Sequence, residues 1–86
     1  MQLYTPVEAD DAARLERGEP VGSALTWVDR PVVDEAEDTS IWMVIEIPES
    51  EAAESERPMD AALGYREFVL PEAVVLGRRA SRANVA

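Results

Sequence analysis

The sequence predicts an α+β fold in which one N-terminal helix packs on a small, mainly antiparallel sheet of four to five strands. Three features point there. An alanine-rich segment near the start carries helix-start residues, several later segments alternate or run apolar at strand length, and proline or glycine punctuates the chain between them. The 86 residues allow one domain. A chain this short buries only about 60–65% of its unfolded surface, so its core is modest. The compact body is expected over residues 1–79, with a tail fraying over 80–86.

Gln2-Leu3-Tyr4 reads as a short opening strand. The helix is expected over 6–17. Thr5 supplies a hydroxyl to cap it, Pro6 suits its first turn, and Glu8 stands where a capping box needs a carboxylate. Asp10 and Asp11 lie near the positive end of its dipole, Arg14 and Arg17 near the negative end, and Gly18 is placed to stop it. Val21 to Val28 alternates as a strand, ended by Asp29-Arg30-Pro31. Residues 32–39 are acidic, a loop or a single helical turn.

Ile41 to Ile47 is the strongest strand. Ile41, Met43, Ile45 and Ile47 share one face, and Trp42, Val44 and Glu46 the other, so a central position is expected. Pro48 stops it. The stretch 49–60 is polar and reads as a mobile acidic loop, with room for a helical turn at Ala52-Ala53-Glu54. Tyr65 to Leu70 is a further strand, and Ala73 to Leu76 a short last one before Gly77.

Composition narrows the chemistry. The chain has no cysteine and no histidine, and all eight basic residues are arginines against 18 carboxylates, a net charge of −10. Disulfides, thiol chemistry and the usual serine–histidine or serine–lysine pairs are excluded. Glu46 and Glu67 lie among apolar strand neighbours, where desolvation raises a carboxyl pKa. They converge as a dyad only if their strands pair. Asp34, Glu35, Glu37 and Asp38 are hard oxygen donors, but they lack the glycine and the twelfth-position acid of a calcium loop. No metal or cofactor is expected.

The order of pieces resembles the ADP-ribosyltransferase-like fold. Leu3-Tyr4-Thr5 with its helix, Leu25 to Pro31, Val44-Ile45-Glu46-Ile47-Pro48 and Tyr65-Arg66-Glu67-Phe68-Val69-Leu70-Pro71 are similar to successive strands of that family. The last piece is similar to its Arg-Glu-aromatic strand, whose glutamate is often catalytic. The resemblance implies that Glu67 would polarise a ribose hydroxyl and Tyr4 would stack on nicotinamide. Thr5 stands where the family commonly has a histidine or arginine that holds the dinucleotide, and the chain is much shorter than a catalytic domain of the family. The resemblance therefore implies a trimmed, inactive relative.

Action by contact is the expectation that composition favours. An acidic body repels nucleic acid and anionic lipid and attracts a protein partner with a basic surface. One form is an inhibitor that fills a basic, nucleic-acid-binding groove, as phage counter-defence or immunity proteins do. Trp42 and Val44, expected to face outward, would contact the partner together with Asp34, Glu35, Glu37 and Asp38. The alternatives are the enzyme or pseudo-enzyme built on Glu67 and Tyr4, and a subunit of a homo-oligomer closed over an open sheet face. Solubility or salt adaptation also produces an acid excess. With no apolar run of about 20 residues and no signal-like start, a cytoplasmic protein without membrane contact is expected.

Overall fold

The computed structural model describes residues 1–21, 25–31, 40–58 and 61–83. In chain order the elements are β1 (Gln2–Val7), α1 (Ala9–Glu16), β2 (Trp27–Val28), β3 (Ile41–Glu46), α2 (Glu49–Ala53), a 3-10 turn (Ala61–Leu63), β4 (Glu67–Phe68), α3 (Glu72–Arg78) and β5 (Ser81–Arg82). The five strands form one sheet in the order β4-β2-β1-β3-β5, and every adjacent pair is antiparallel. The fold is α+β with a five-stranded antiparallel sheet, as expected, but the described residues carry three α-helices rather than a single N-terminal one.

The sheet is built around β1 and β3, paired in register from Gln2↔Glu46 to Val7↔Ile41. Strand alternation sends Leu3, Thr5 and Val7 to the same side as Ile41, Met43 and Ile45. On that side all three helices meet the sheet. Ala12 and Leu15 of α1, Ala52 of α2 and Val75 of α3 join Leu3, Met43, Ile45, Trp27 and Phe68 in one core. Trp27 and Phe68 are register partners on neighbouring strands, and both are fully buried. Truncating either to alanine should cost about 3–5 kcal/mol.

The helix start differs from the sequence expectation of 6–17. Thr5 and Pro6 belong to β1, and α1 begins at Ala9 after Glu8, which makes no side-chain capping bond. A proline in a central strand needs a reason, and the hydrogen-bond directions supply one. Asp29 N–H donates to Arg66 O, so Asp29 is directed at β4 and the preceding Val28 at β1. Tyr4, the partner of Val28, is therefore directed at β2, and so is Pro6 two residues on. Pro6 turns its N–H-free nitrogen toward Thr26, just outside β2. The Thr26 carbonyl accepts instead from the Thr5 hydroxyl, at 2.8 Å. Thr5 is the one buried polar residue among those described. The far end of α1 follows the expectation: Gly18 takes a positive φ of 73°, Gly18 N–H donates to Leu15 O and Glu19 N–H to Arg14 O. That is a Schellman stop.

Other elements correct the sequence expectations. The expected strand over 21–28 is a strand only at Trp27–Val28, with 22–24 outside the described residues, and the one over 65–70 only at Glu67–Phe68. The stretch 49–60 begins as α2, because Pro48 opens a helix (Glu51 and Ala52 N–H both donate to its carbonyl) and Ala52 is drawn into the core. Ala73–Leu76 is part of α3 rather than a strand. A four-residue apolar run does not distinguish the two, and Pro71 leads it into a helix that buries Val75. The tail from 80 is not frayed at its start. Ala80 is buried, and Ser81 and Arg82 pair with Val44 and Met43.

Candidate interaction face

The opposite side of the sheet carries no described helix. Across it runs one transverse row of register partners, Glu67 (β4), Val28 (β2), Tyr4 (β1), Val44 (β3) and Ser81 (β5). Pro6 and Trp42, partners of each other, stand on the same face one pleat along, and Gln2 and Glu46 one pleat the other way. Beyond β4, Val69 continues the alternation of Glu67 and is 41% exposed. The face is therefore apolar across much of its width, whereas a solvated sheet face is ordinarily polar.

Every described residue that the sequence singled out as a site lies here. Trp42 and Val44 point away from the core, as their alternation predicts. Val44 is half-buried, but Trp42 is only 9% exposed, so it forms the floor of the face with buried Val28 rather than a projecting anchor. Tyr4 and Glu67 share the row with one strand between them, about 10 Å apart at a strand spacing of about 4.8 Å. Glu46 and Glu67 do not form a dyad. β2 and β1 stand between their strands, and Glu46 is one pleat off the row, which puts them about 16 Å apart. Asp34, Glu35, Glu37 and Asp38 lie outside the described residues. Pro6, Val28 and Val69 were missed as members of the face. Alternation through 67–69 marks Val69, whereas Pro6 was hidden by its resemblance to a helix start.

The charges on and beside this face are paired within the chain. The Glu67 carboxylate, 17% exposed, accepts from Arg57 Nη1 at 2.9 Å. Glu46 is 73% exposed and stands 3.6 Å from the Met1 amino group. Asp29 Oδ1 accepts from Arg66 N–H at 2.9 Å and lies 3.7 Å from Arg30 Nε. At the β4 edge Arg66 binds Glu56 at 2.6 Å and Glu49 at 3.2 Å, with its guanidinium 5.3 Å from the Phe68 ring centre. The Arg66 hydrogen bond holds the Glu56 carboxyl below the usual carboxylate range, and the two carboxylates hold the Arg66 guanidinium protonated more firmly than usual. The backbone of 55–57 completes this edge: Arg57 N–H donates to Glu67 O and Val69 N–H to Ser55 O.

On the helical layer Arg14 pairs with Asp11, Arg17 with Glu19, Arg78 with Glu51, and Arg82 with Glu16. Arg79 alone among the arginines has no ion pair among the described residues. Glu8, Asp10, Glu54 and Glu72 have none either, and all four lie at the ends of helices. Among the described residues, the carboxylates without an ion pair therefore lie on the helical layer, and those on or beside the sheet face are paired. Among the described residues no group of three or more Asp or Glu is placed to hold a metal ion, and no helix is long and apolar enough to cross a membrane. Compared with known protein families, curated proteins and solved structures, the chain matches none.

Proposed function

We propose that this chain is a non-catalytic, acidic protein-binding module that acts by occupying a basic surface of a partner, as an inhibitor of a nucleic-acid-binding groove would. One observation carries this reading. Seven of the eight arginines are already neutralised by carboxylates of the same chain, so the described unpaired charge is almost entirely negative. Such a field accelerates encounter with cations and is screened by salt. The test is affinity capture of the partner on immobilised protein, followed by titration of the purified pair from about 0.01 M to about 1 M salt, across which the Debye length falls from about 30 to about 3 Å. A basic partner whose affinity drops steeply is the expected result. An affinity that does not change over that range removes the electrostatic basis of the proposal.

A second reading has its own observation, the shared row of Glu67 and Tyr4. An ADP-ribosyltransferase-like pseudo-enzyme would bind a nicotinamide dinucleotide over Tyr4 with Glu67 toward its ribose. Arg57 already engages that carboxylate, and Val28 lies between the two side chains. Labelled dinucleotide decides the matter: no binding, no transfer and no hydrolysis end this reading.

A further inference from the structure

We infer that residues 49–57, α2 with the extended stretch after it, are a strap that covers the outer edge of β4 and opens as one unit, baring that edge while the rest of the sheet stays folded. The backbone shows what the strap covers. Arg57 N–H donates to Glu67 O at 2.8 Å, Val69 N–H donates to Ser55 O at 3.0 Å, and Glu56 forms an antiparallel bridge with Phe68. These bonds occupy the edge that β4, last in the strand order, would otherwise present to solvent. An uncovered edge of this kind is what an extended segment of another chain pairs with.

What fastens the strap differs from what fastens the sheet. The strands are held by large buried side chains, Leu3, Met43, Ile45, Trp27 and Phe68. Between Pro48 and Pro58, Ala52 is the only buried residue, so a single methyl group anchors the strap in the core. Its remaining described attachments to the rest of the chain are ion pairs. Arg66 holds Glu49 and Glu56, Arg57 holds Glu67, and Arg78 of α3 holds Glu51. In each pair at least one side chain is more than a third exposed, and such a pair contributes a factor of only about 1.5–5 to an equilibrium. A segment tied by screened charges and a few backbone bonds, with little buried apolar area, is a unit of low local stability. Because Glu49 and Glu56 share Arg66, α2 and the stretch 55–57 are fastened by one group and are released together.

Amide hydrogen exchange of the intact chain, followed residue by residue by NMR, tests the opening. Val69 N–H faces the strap, whereas Asp29 N–H, which donates to Arg66 O, reports the inner side of the same edge. The Arg57 and Val69 amides should exchange about tenfold or more faster than Asp29 and the β1–β3 ladder, once intrinsic rates are divided out. Raising salt to about 1 M, where the Debye length is about 3 Å, should speed the first two and not the others. Arg66→Gln, which removes two pairs, should speed them roughly 2- to 25-fold, and Glu51→Gln, which cuts only the pair from α2 to α3, roughly 1.5- to 5-fold. Asp10→Asn, outside the strap, should change neither. Circular dichroism verifies that each variant is folded. Arg57 and Val69 amides that exchange no faster than the ladder overturn the inference, because the strap then opens only with the whole fold. So do rates unmoved by salt or by Arg66→Gln, and so does a response to Arg66→Gln without one to Glu51→Gln, which detaches α2 from the unit. The opening belongs to the isolated chain, so none of these outcomes decides the partner-binding proposal.

Discussion

Thr5 and Pro6 make a stability prediction that depends on their acting together. Thr5 is 1% exposed and donates to the Thr26 carbonyl at 2.8 Å, the position that an N–H of residue 6 would otherwise fill. Thr5→Val keeps the shape and removes the donor. The lost bond is worth about 1 kcal/mol, and the orphaned carbonyl adds little because Thr26 itself is exposed and water reaches it. Pro6→Ala restores a backbone N–H aimed at the same carbonyl. Its gain of about 1 kcal/mol is offset by about 0.4–1 kcal/mol of extra freedom in the unfolded chain, so alone it should be nearly neutral. In the Pro6→Ala background the new N–H substitutes for the hydroxyl, and Thr5→Val should then cost about 0.5–1 kcal/mol less than in the wild type. Urea unfolding followed by tryptophan fluorescence yields the four free energies of the cycle. Independent sites add to within about 0.3–0.5 kcal/mol. An additive cycle, or a Thr5→Val variant as stable as the wild type, shows that the hydroxyl does not replace a missing ladder bond.

Two further perturbations test particular elements. In α3, Gly77 is a helical residue with no heavy atom within 4 Å of where a Cβ would stand, and Arg79 closes the helix at a left-handed φ of 53°. Gly77→Ala and Arg79→Gly should each stabilise the fold by about 1 kcal/mol, a rise of roughly 4–8 °C in Tm for a domain of this size, and a fall in Tm for Gly77→Ala contradicts a helix there. At the β4 edge the Glu56 carboxyl titrates below its ordinary 4.5 because of Arg66. A carboxyl with a depressed folded pKa contributes stability above that ordinary value and loses it as pH falls through the folded one. Carbon-detected NMR titration should therefore show Glu56 protonating below pH 4.5 in the wild type and moving up toward it in Arg66→Gln. No upward movement means that the contact does not set the titration.

What the sequence disclosed follows from how many independent constraints each segment carries. β3 was legible because both of its faces are apolar over a strand's length, and the end of α1 because a glycine follows helix formers and arginines. The start of α1 was misread because Thr5, Pro6 and Glu8 satisfy the grammar of a helix start while the pairing of β1 with β3 along its whole length outweighs it. α3 was illegible for the opposite reason. Val74, Val75 and Gly77 are poor helix formers, and what makes them helical is the burial of Val75 and the Arg78–Glu51 ion pair to α2, both long-range. The candidate face was legible as a direction, since alternation turned Trp42 and Val44 outward. Its extent was not, because Val28, Tyr4 and Glu67 become neighbours only through a strand order in which consecutive strands are not always adjacent.

That strand order also explains why one chain of 86 residues divides its surface as it does. β1 and β3 hold the centre, so the residues alternating outward from them, Tyr4, Pro6, Trp42 and Val44, gather in the middle of the sheet. Most of the described carboxylates sit beside arginines or, like Glu8, Asp10 and Glu72, at helix N-termini where the backbone dipole stabilises them; Glu54, at the C-terminal end of α2, has neither. Among the described residues, the unpaired carboxylates thus fall on the side of the sheet opposite Tyr4, Pro6, Trp42 and Val44. A contact driven by that free negative charge is weakened by salt, so neutralising Glu8 and Asp10 together should weaken it as well, and a partner affinity unchanged by the double substitution would show that this end of α1 takes no part.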